Sequence, residues 1–194
     1  MEINQSITLH QLISYIEKEI VNNNFDNFSE NINFKKLLLL YDSNLRDLLP
    51  YTFIELNKNY TRNLISTDYN NYTLILICWN PKRESPIHNH PCQGCWFRII
   101  KGNIYEKLFT ITPKDNYLSI VEEKHYKEGD VSFIDDTIAL HKVGNLTDEI
   151  AMTLHLYMPP IDNCKIWFDE NDKKSIVVKN TFHSKEGKML KNVL

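Results

Sequence analysis

Apolar residues along this chain follow two different periods. Ile7, Leu9, Leu12, Ile13, Ile16 and Ile20 recur near the helical repeat, which predicts an amphipathic helix with Ser6 or Thr8 placed to cap it. A second helix is predicted from Asn33 to Leu49, ended by Pro50, with Asn22-Asn23-Asn24 as the connector between the two. From Tyr72 onward the pattern shortens to β-branched and aromatic runs: Thr73 to Trp79, Trp96 to Ile100, Ile104 to Ile111, Tyr117 to Glu122, Val131 to Asp135, Ala151 to Tyr157 and Ile176 to Lys179. Lys101-Gly102-Asn103 between two such runs is a hairpin signal. Short strands at this spacing read as a β-barrel or jelly roll, and helices followed by a barrel make an α+β chain that is mainly β.

Length adds that the 194 residues form one domain, helical over about residues 1–50 and barrel over about 51–194. A chain of this size buries about 70% of its unfolded surface, so folding requires no disulfide or metal staple. The net charge of -3, from 22 basic and 25 acidic residues, offers no basic patch for nucleic acid or an anionic membrane. A small-molecule partner and a monomeric protein are expected. No signal peptide opens the sequence and no run approaches the roughly 18 apolar residues of a membrane span, so a cytoplasmic address is expected. The four cysteines, Cys78, Cys92, Cys95 and Cys164, are too few and scattered for a disulfide scaffold.

The candidate chemistry starts at His88-Asn89-His90. Side chains two apart on an extended strand share a face, so His88 and His90 can enter one cavity as a chelating pair, and His141 arrives on another segment to complete a metal-binding trio. Imidazole suits iron, copper, zinc and nickel, and a site with few protein ligands leaves positions open for substrate or oxygen. Cys92 and Cys95 form a C-x-x-C that invites a zinc or redox reading, but neither paired ligand motifs nor a strand-to-helix context accompany it. His10, His125 and His183 carry no comparable context, and Cys92 and Cys164 receive no role.

These residues resemble the cupin barrel family, whose first motif reads G-x5-H-x-H-x(3,4)-E-x6-G and whose second ends H-x3-N. Here His88, His90 and Gly102 match the first, and His141 and Asn145 the second. Lys82 stands at the opening glycine, Gly129 lies one residue too far from His141, and Cys95 replaces the glutamate that usually ligates metal. A cupin with three histidines and that cysteine is similar to the eukaryotic cysteine dioxygenase family. The likeness extends through Tyr60-Thr61-Arg62-Asn63-Leu64, the stretch from Ile134 to Val143 and Leu154-His155-Leu156-Tyr157-Met158-Pro159-Pro160, roughly from Tyr60 to Cys164. Thr153 takes a position where the family usually has serine, which keeps a hydroxyl.

The resemblance implies a non-haem iron(II) enzyme that converts L-cysteine and O2 to cysteine sulfinic acid, in cysteine catabolism and taurine or sulfate formation. It implies that His88, His90 and His141 hold iron, that Arg62 grips the substrate carboxylate with help from Tyr60, and that Tyr157 points its phenol at the iron-bound partners, steered by a hydrogen bond from His155. It also implies a Cys95–Tyr157 thioether and a cis bond before Pro159. Only four of the 22 basic residues are arginine, and lysine lacks arginine's fork for a carboxylate, so an arginine at position 62 is not a default choice. Arg62 and Cys95 also argue against a mercaptopropionate dioxygenase, whose sites tend to carry glutamine and lack the cysteine. A non-enzymatic metal-binding cupin is the alternative from another class.

Overall fold

The computed structural model describes residues 6–22, 32–43, 45–112 and 117–190. Helix α1 (Leu9–Asn22) buries Leu9, Leu12, Ile16 and Ile20, the face its periodicity predicts. Of the two candidate caps Thr8 is the one used. Its Oγ1 accepts the Gln11 N–H at 3.3 Å while Gln11 Oε1 accepts the Thr8 N–H at 3.0 Å, a reciprocal capping box. Asn22 closes this helix and is not part of a connector; Asn23 and Asn24 lie outside the described residues.

The second helix departs from the expectation of one element over Asn33 to Leu49. It is instead α2 (Ile32–Leu40), α3 (Leu45–Leu48) and a single 3-10 turn over Leu49–Tyr51 that takes in Pro50. Two tertiary contacts break it. Tyr41 leaves the helix to form a parallel bridge with Ile7, and the Arg98 Nη1 donates to the carbonyl oxygens of Leu38 and Tyr41, taking over acceptors a continuing helix would use. Pro50 is tolerated because the N–H of the first residues of a helical turn has no acceptor within the turn, so proline loses no helical bond there.

The strands are β1 (Tyr60–Thr67), β2 (Thr73–Trp79), β3 (Arg83–Glu84), β4 (Ile87–His88), β5 (Gly94–Lys101), β6 (Ile104–Ile111), β7 (Leu118–Tyr126), β8 (Val131–Ile134), β9 (Leu140–Asn145), β10 (Ala151–Met158), β11 (Asn163–Trp167), β12 (Ile176–Lys179), β13 (Ser184–Lys185) and β14 (Lys188–Met189). The apolar runs correspond to β2, β5, β6, β7, β8, β10 and β12. Strands β1 and β9 do not show as such runs because polar residues, Arg62 and His141 among them, occupy their inward positions. One sheet has the order β14-β13-β1-β2-β10-β5-β8 and the other β12-β11-β4-β9-β6-β7, with β3 on β9. Together they make the double-sheeted barrel of a cupin, with the helices packed outside the first sheet.

Alternation along the central strands of the first sheet separates two cores. Leu74, Leu76 and Cys78 of β2, Leu154, Leu156 and Met158 of β10, and Trp96 and Ile100 of β5 join the helices Leu12, Ile16, Phe34 and Leu38 come from. Their neighbours Ile75, Ile77 and Trp79, Tyr157, and Cys95, Phe97 and Ile99 face the lumen. Covering both faces is what buries β2 along its whole length, and each large apolar side chain so removed from water is worth about 1.5–3 kcal/mol. The same alternation sends Arg98 outward to the end of α2.

The turn after β2 explains the missing motif glycine. Lys82 has a φ of 56°, in the left-handed region where glycine is at ease. The lysine holds this turn with its backbone N–H on the Thr147 carbonyl at 3.2 Å and its Nζ on the Leu146 carbonyl at 2.6 Å. The expected cis bond is present between Met158 and Pro159.

Replacing Arg98 by leucine should lower stability without altering the fold, because the carbonyls of Leu38 and Tyr41 lose a charged donor. A loss of about 1.5–3 kcal/mol is expected, which for this length is a fall in Tm of roughly 3–12 °C. Calorimetry of the Arg98→Leu protein, alongside an unchanged far-UV circular dichroism spectrum, checks it; an unshifted Tm removes the capping role.

Candidate metal centre and active site

His88 and His141 are direct partners across the β4–β9 pair, and their rings lie 4.5 Å apart. His90 is not on the same strand as His88, as the i, i+2 argument expects, because β4 ends at His88. Its ring still reaches the cluster, 5.0 Å from His88 and 4.6 Å from His141. Asp136 holds the turn that brings it there: its carboxylate accepts the His90 N–H and, at 2.8 Å, the Asn89 Nδ2. Asn89 is tied in turn to β11 through the Lys165 N–H at 2.7 Å. One ligand nitrogen from each histidine lies within 4.8 Å of the others, and Cys95 is outside this group.

Proton accounting shows that the cluster suits a cation. His88 Nδ1 donates to the Pro86 carbonyl at 3.0 Å, so its Nε2 carries a lone pair. His141 Nδ1 lies 2.6 Å from Glu106 Oε1, and burial raises that carboxyl less than the bonds from His141 and Tyr126 lower it, which keeps it ionised and able only to accept. His141 Nε2 therefore also faces inward, 3.1 Å from His88 Nε2. Two ring nitrogens so placed can share one positive charge between them, a proton or a metal ion. His90 Nδ1 is buried with no hydrogen-bond partner among the described residues. Burial and the neighbouring His141 push His88 down to about 3 and hold His90 well below the usual histidine range, so protons do not compete for these nitrogens near neutrality.

Glu106 is the residue the sequence motifs do not reveal. It is 1% exposed, bonds His141 with one oxygen and accepts the Tyr126 hydroxyl at 2.7 Å with the other. Tyr126 continues to Ser132 at 2.9 Å. A signal is present in hindsight: Glu106 sits between Ile104 and Leu108 on the lumen-facing phase of β6, where a carboxylate needs a partner.

The other wall comes from the first sheet. Tyr60, Arg62, His155 and Tyr157 line the same cavity as the three histidines. Arg62 lies with its guanidinium carbon 5.7 Å from the Tyr157 ring centre and 5.9 Å from that of Phe182. Its Nη1 donates to Asn180 Oδ1 at 3.1 Å, while its buried Nε has no partner among the described residues. His183, unremarkable in the sequence, is joined to the backbone of Arg62: its Nδ1 accepts the Arg62 N–H at 3.1 Å and its own N–H donates to the Arg62 carbonyl at 2.8 Å.

Trp79 Nε1 donates to Thr153 Oγ1 at 2.8 Å, and that hydroxyl meets His155 Nε2 at 2.8 Å. His155 Nδ1 lies 3.8 Å from the Cys95 sulfur. The sequence expectation has His155 bonding the Tyr157 hydroxyl; here it bonds Thr153 and Cys95, and meets Tyr157 as a nearly parallel ring at 5.9 Å. The reason is spacing: two residues apart on one strand face, flat rings stand side by side and each hydroxyl or nitrogen at the tip reaches forward or across. Cys95 faces Tyr157 directly in the β5–β10 register. Asn145 holds structure, its Nδ2 donating to the Glu149 carbonyl at 2.6 Å, and Cys92 and Cys95 are both free thiols around the start of β5.

Three imidazoles converging in the lumen of a double-sheeted barrel define a cupin with a metal-binding centre. Comparison with known proteins narrows this. The family described as cysteine dioxygenase type I matches residues 1–171, and the chain belongs to that family. The cysteine dioxygenase type 1 of Rattus norvegicus is 35% identical over 153 residues, covering 78% of this chain and 76% of the rat protein. That of Danio rerio is 30% identical over 165 residues, covering 82% and 81%. The human protein is 37% identical over 130 residues, 66% of this chain and 64% of its own length. The chain is thus an enzyme of the dioxygenase class. Among its described residues no helix is long and apolar enough to cross a membrane.

Glu106→Gln should weaken metal binding by roughly ten to a hundredfold, because a neutral amide holds the His141 tautomer less firmly than a carboxylate. Competition against a chromophoric chelator measures it, with His141→Ala as the reference for losing a ligand outright. Equal affinity in Glu106→Gln and the parent would remove Glu106 from the metal's support.

Proposed function

We propose that this chain is an iron(II) thiol dioxygenase that adds both atoms of O2 to the sulfur of free L-cysteine. The thiol becomes a sulfinic acid; sulfur gives up four electrons, O2 takes them, and the thiol proton ends on a sulfinate oxygen or in water. One observation carries the reading: the three histidines and the Arg62 guanidinium line one cavity, so a metal end and a carboxylate-binding end face each other. Iron(II) held by His88, His90 and His141 supplies open coordination positions and electrons for oxygen activation.

The chain's own residues do the rest. Three neutral imidazoles leave the divalent charge uncancelled, which favours a thiolate over water. Arg62, with its Nε buried and without a partner among the described residues, offers a charge-assisted donor to the carboxylate of an amino acid whose sulfur faces the histidines. Tyr60 borders the same end, its ring tilted against that of Trp79 with centres 4.9 Å apart. Burial and the neighbouring Cys95 hold the Tyr157 phenol well above its ordinary range, against the pull of Arg62, so it keeps its proton and can donate. Trp79 and Thr153 orient His155, which packs between the sulfur of Cys95 and the ring of Tyr157.

Oxygen uptake by the iron-loaded protein tests the proposal. L-Cysteine should drive uptake with sulfinic acid formed in equal amount, and Arg62→Gln should cut kcat/KM for cysteine by roughly ten to a hundredfold, narrowing its lead over 3-mercaptopropionate. A fully iron-loaded parent protein that consumes no oxygen with cysteine overturns the reading.

Cys95 and Tyr157 extend it. A thioether between them forms one sulfur–carbon bond and breaks the S–H and one ring C–H bond, the two electrons and two protons passing to O2 to give hydrogen peroxide. Protein recovered after extended turnover should therefore contain a species lighter by two hydrogens, mapping to these two residues. Cys95→Ser should lack it while still binding iron. Peptide mapping that finds Cys95 wholly unlinked, or joined to Cys92, refutes the assignment.

A further inference from the structure

Arg62 does not reach the cavity unaided. The segment after β12 delivers Asn180, whose side-chain amide is held at both its nitrogen and its oxygen. Its Nδ2 donates to the Ile161 carbonyl at 3.0 Å, its backbone N–H donates to the Asp162 carbonyl at 2.7 Å, and its Oδ1 accepts Arg62 Nη1 at 3.1 Å and the Cys164 thiol at 3.7 Å. Because the Ile161 carbonyl oxygen can only accept and the guanidinium can only donate, a flipped amide would lose both bonds, and oxygen is the atom presented to Arg62. One edge of the Arg62 fork is thereby occupied while its Nε stays buried, with no partner among the described residues.

The type of acceptor matters. A carboxylate at position 180 would form a two-pronged ion pair with Arg62 and cancel the charge that a substrate carboxylate requires. An apolar side chain would leave the guanidinium free to swing between the Tyr157 and Phe182 rings that flank it. An amide oxygen fixes direction and leaves the full positive charge available. We propose that Asn180 is a specificity-determining positioning residue: it aims Arg62 at the substrate carboxylate without neutralising it, and so sets the preference for carboxylate-bearing thiols over those lacking one. This rests on the reading of Arg62 as the carboxylate anchor.

Anaerobic calorimetric titration of the iron(II)-loaded protein tests it, with L-cysteine and with cysteamine, which has the same thiol and amine but no carboxylate. In the parent, cysteine should bind more tightly. Asn180→Leu should weaken cysteine binding by about three- to tenfold, and Asn180→Asp by about tenfold or more, with cysteamine affinity unchanged within about twofold in both. Asn180 is half-buried, so both variants are expected to fold, and a Tm for each verifies this. A cysteine-to-cysteamine ratio unchanged in the two variants overturns the proposal, as does an equal loss for both ligands, which would mark Asn180 as merely structural. A parent protein that binds the two ligands alike would instead refute Arg62 as the carboxylate anchor.

Discussion

Side chains of a β-strand must alternate between its two faces, and in β2, β5 and β10 both faces are buried. One face requires the helices for its cover and the other builds the reaction chamber. Leu154 and Leu156 support the layer of α1 and α2, while Thr153, His155 and Tyr157 between them face the lumen. A slip of one residue in register would exchange these sets, placing imidazole and phenol under the helices and leucine in the site. The helical layer thus fixes the orientation of the catalytic wall without touching it. Arg98, pointing outward between the lumen-facing Phe97 and Ile99, joins the two layers at the end of α2.

Charge is arranged by distance. No carboxylate belongs to the cluster of ligand nitrogens among the described residues, yet Glu106 stands one hydrogen bond behind His141 and Asp136 behind the backbone of His90. Acidic groups so placed set tautomer and direction while leaving the metal's charge to the substrate. Arg62 follows the same rule with opposite sign: Asn180, a neutral acceptor, holds the cation. In both halves of the cavity the orienting contact leaves charge in place: Glu106 bonds the far nitrogen of His141, and the Asn180 amide that holds Arg62 is neutral.

Much of the site was legible in residues 60–160, since His88, His90, His141, Arg62, Cys95, His155 and Tyr157 sit in short motifs with distinctive spacing. The helix face of α1 and the runs that became β2, β6 and β12 were equally plain, because an apolar period reports which side of an element is buried. Strands β1 and β9 were obscured by the functional polar residues they carry, and the helix predicted over Asn33 to Leu49 was cut by Tyr41 pairing with Ile7.

What the sequence by itself determined is therefore which residues line the cavity, His88, His90, His141, Arg62 and Tyr157 among them, and the strand phase of most of them. Only the tertiary structure decided how each is held. Glu106 lies 35 residues from His141, Asn180 lies 118 from Arg62 and His183 lies 121 from it. Separations of that size have no local period or motif. These partners become neighbours only when the sheets close, because a buried hydrogen bond depends on where two strands pass each other and not on what either strand spells.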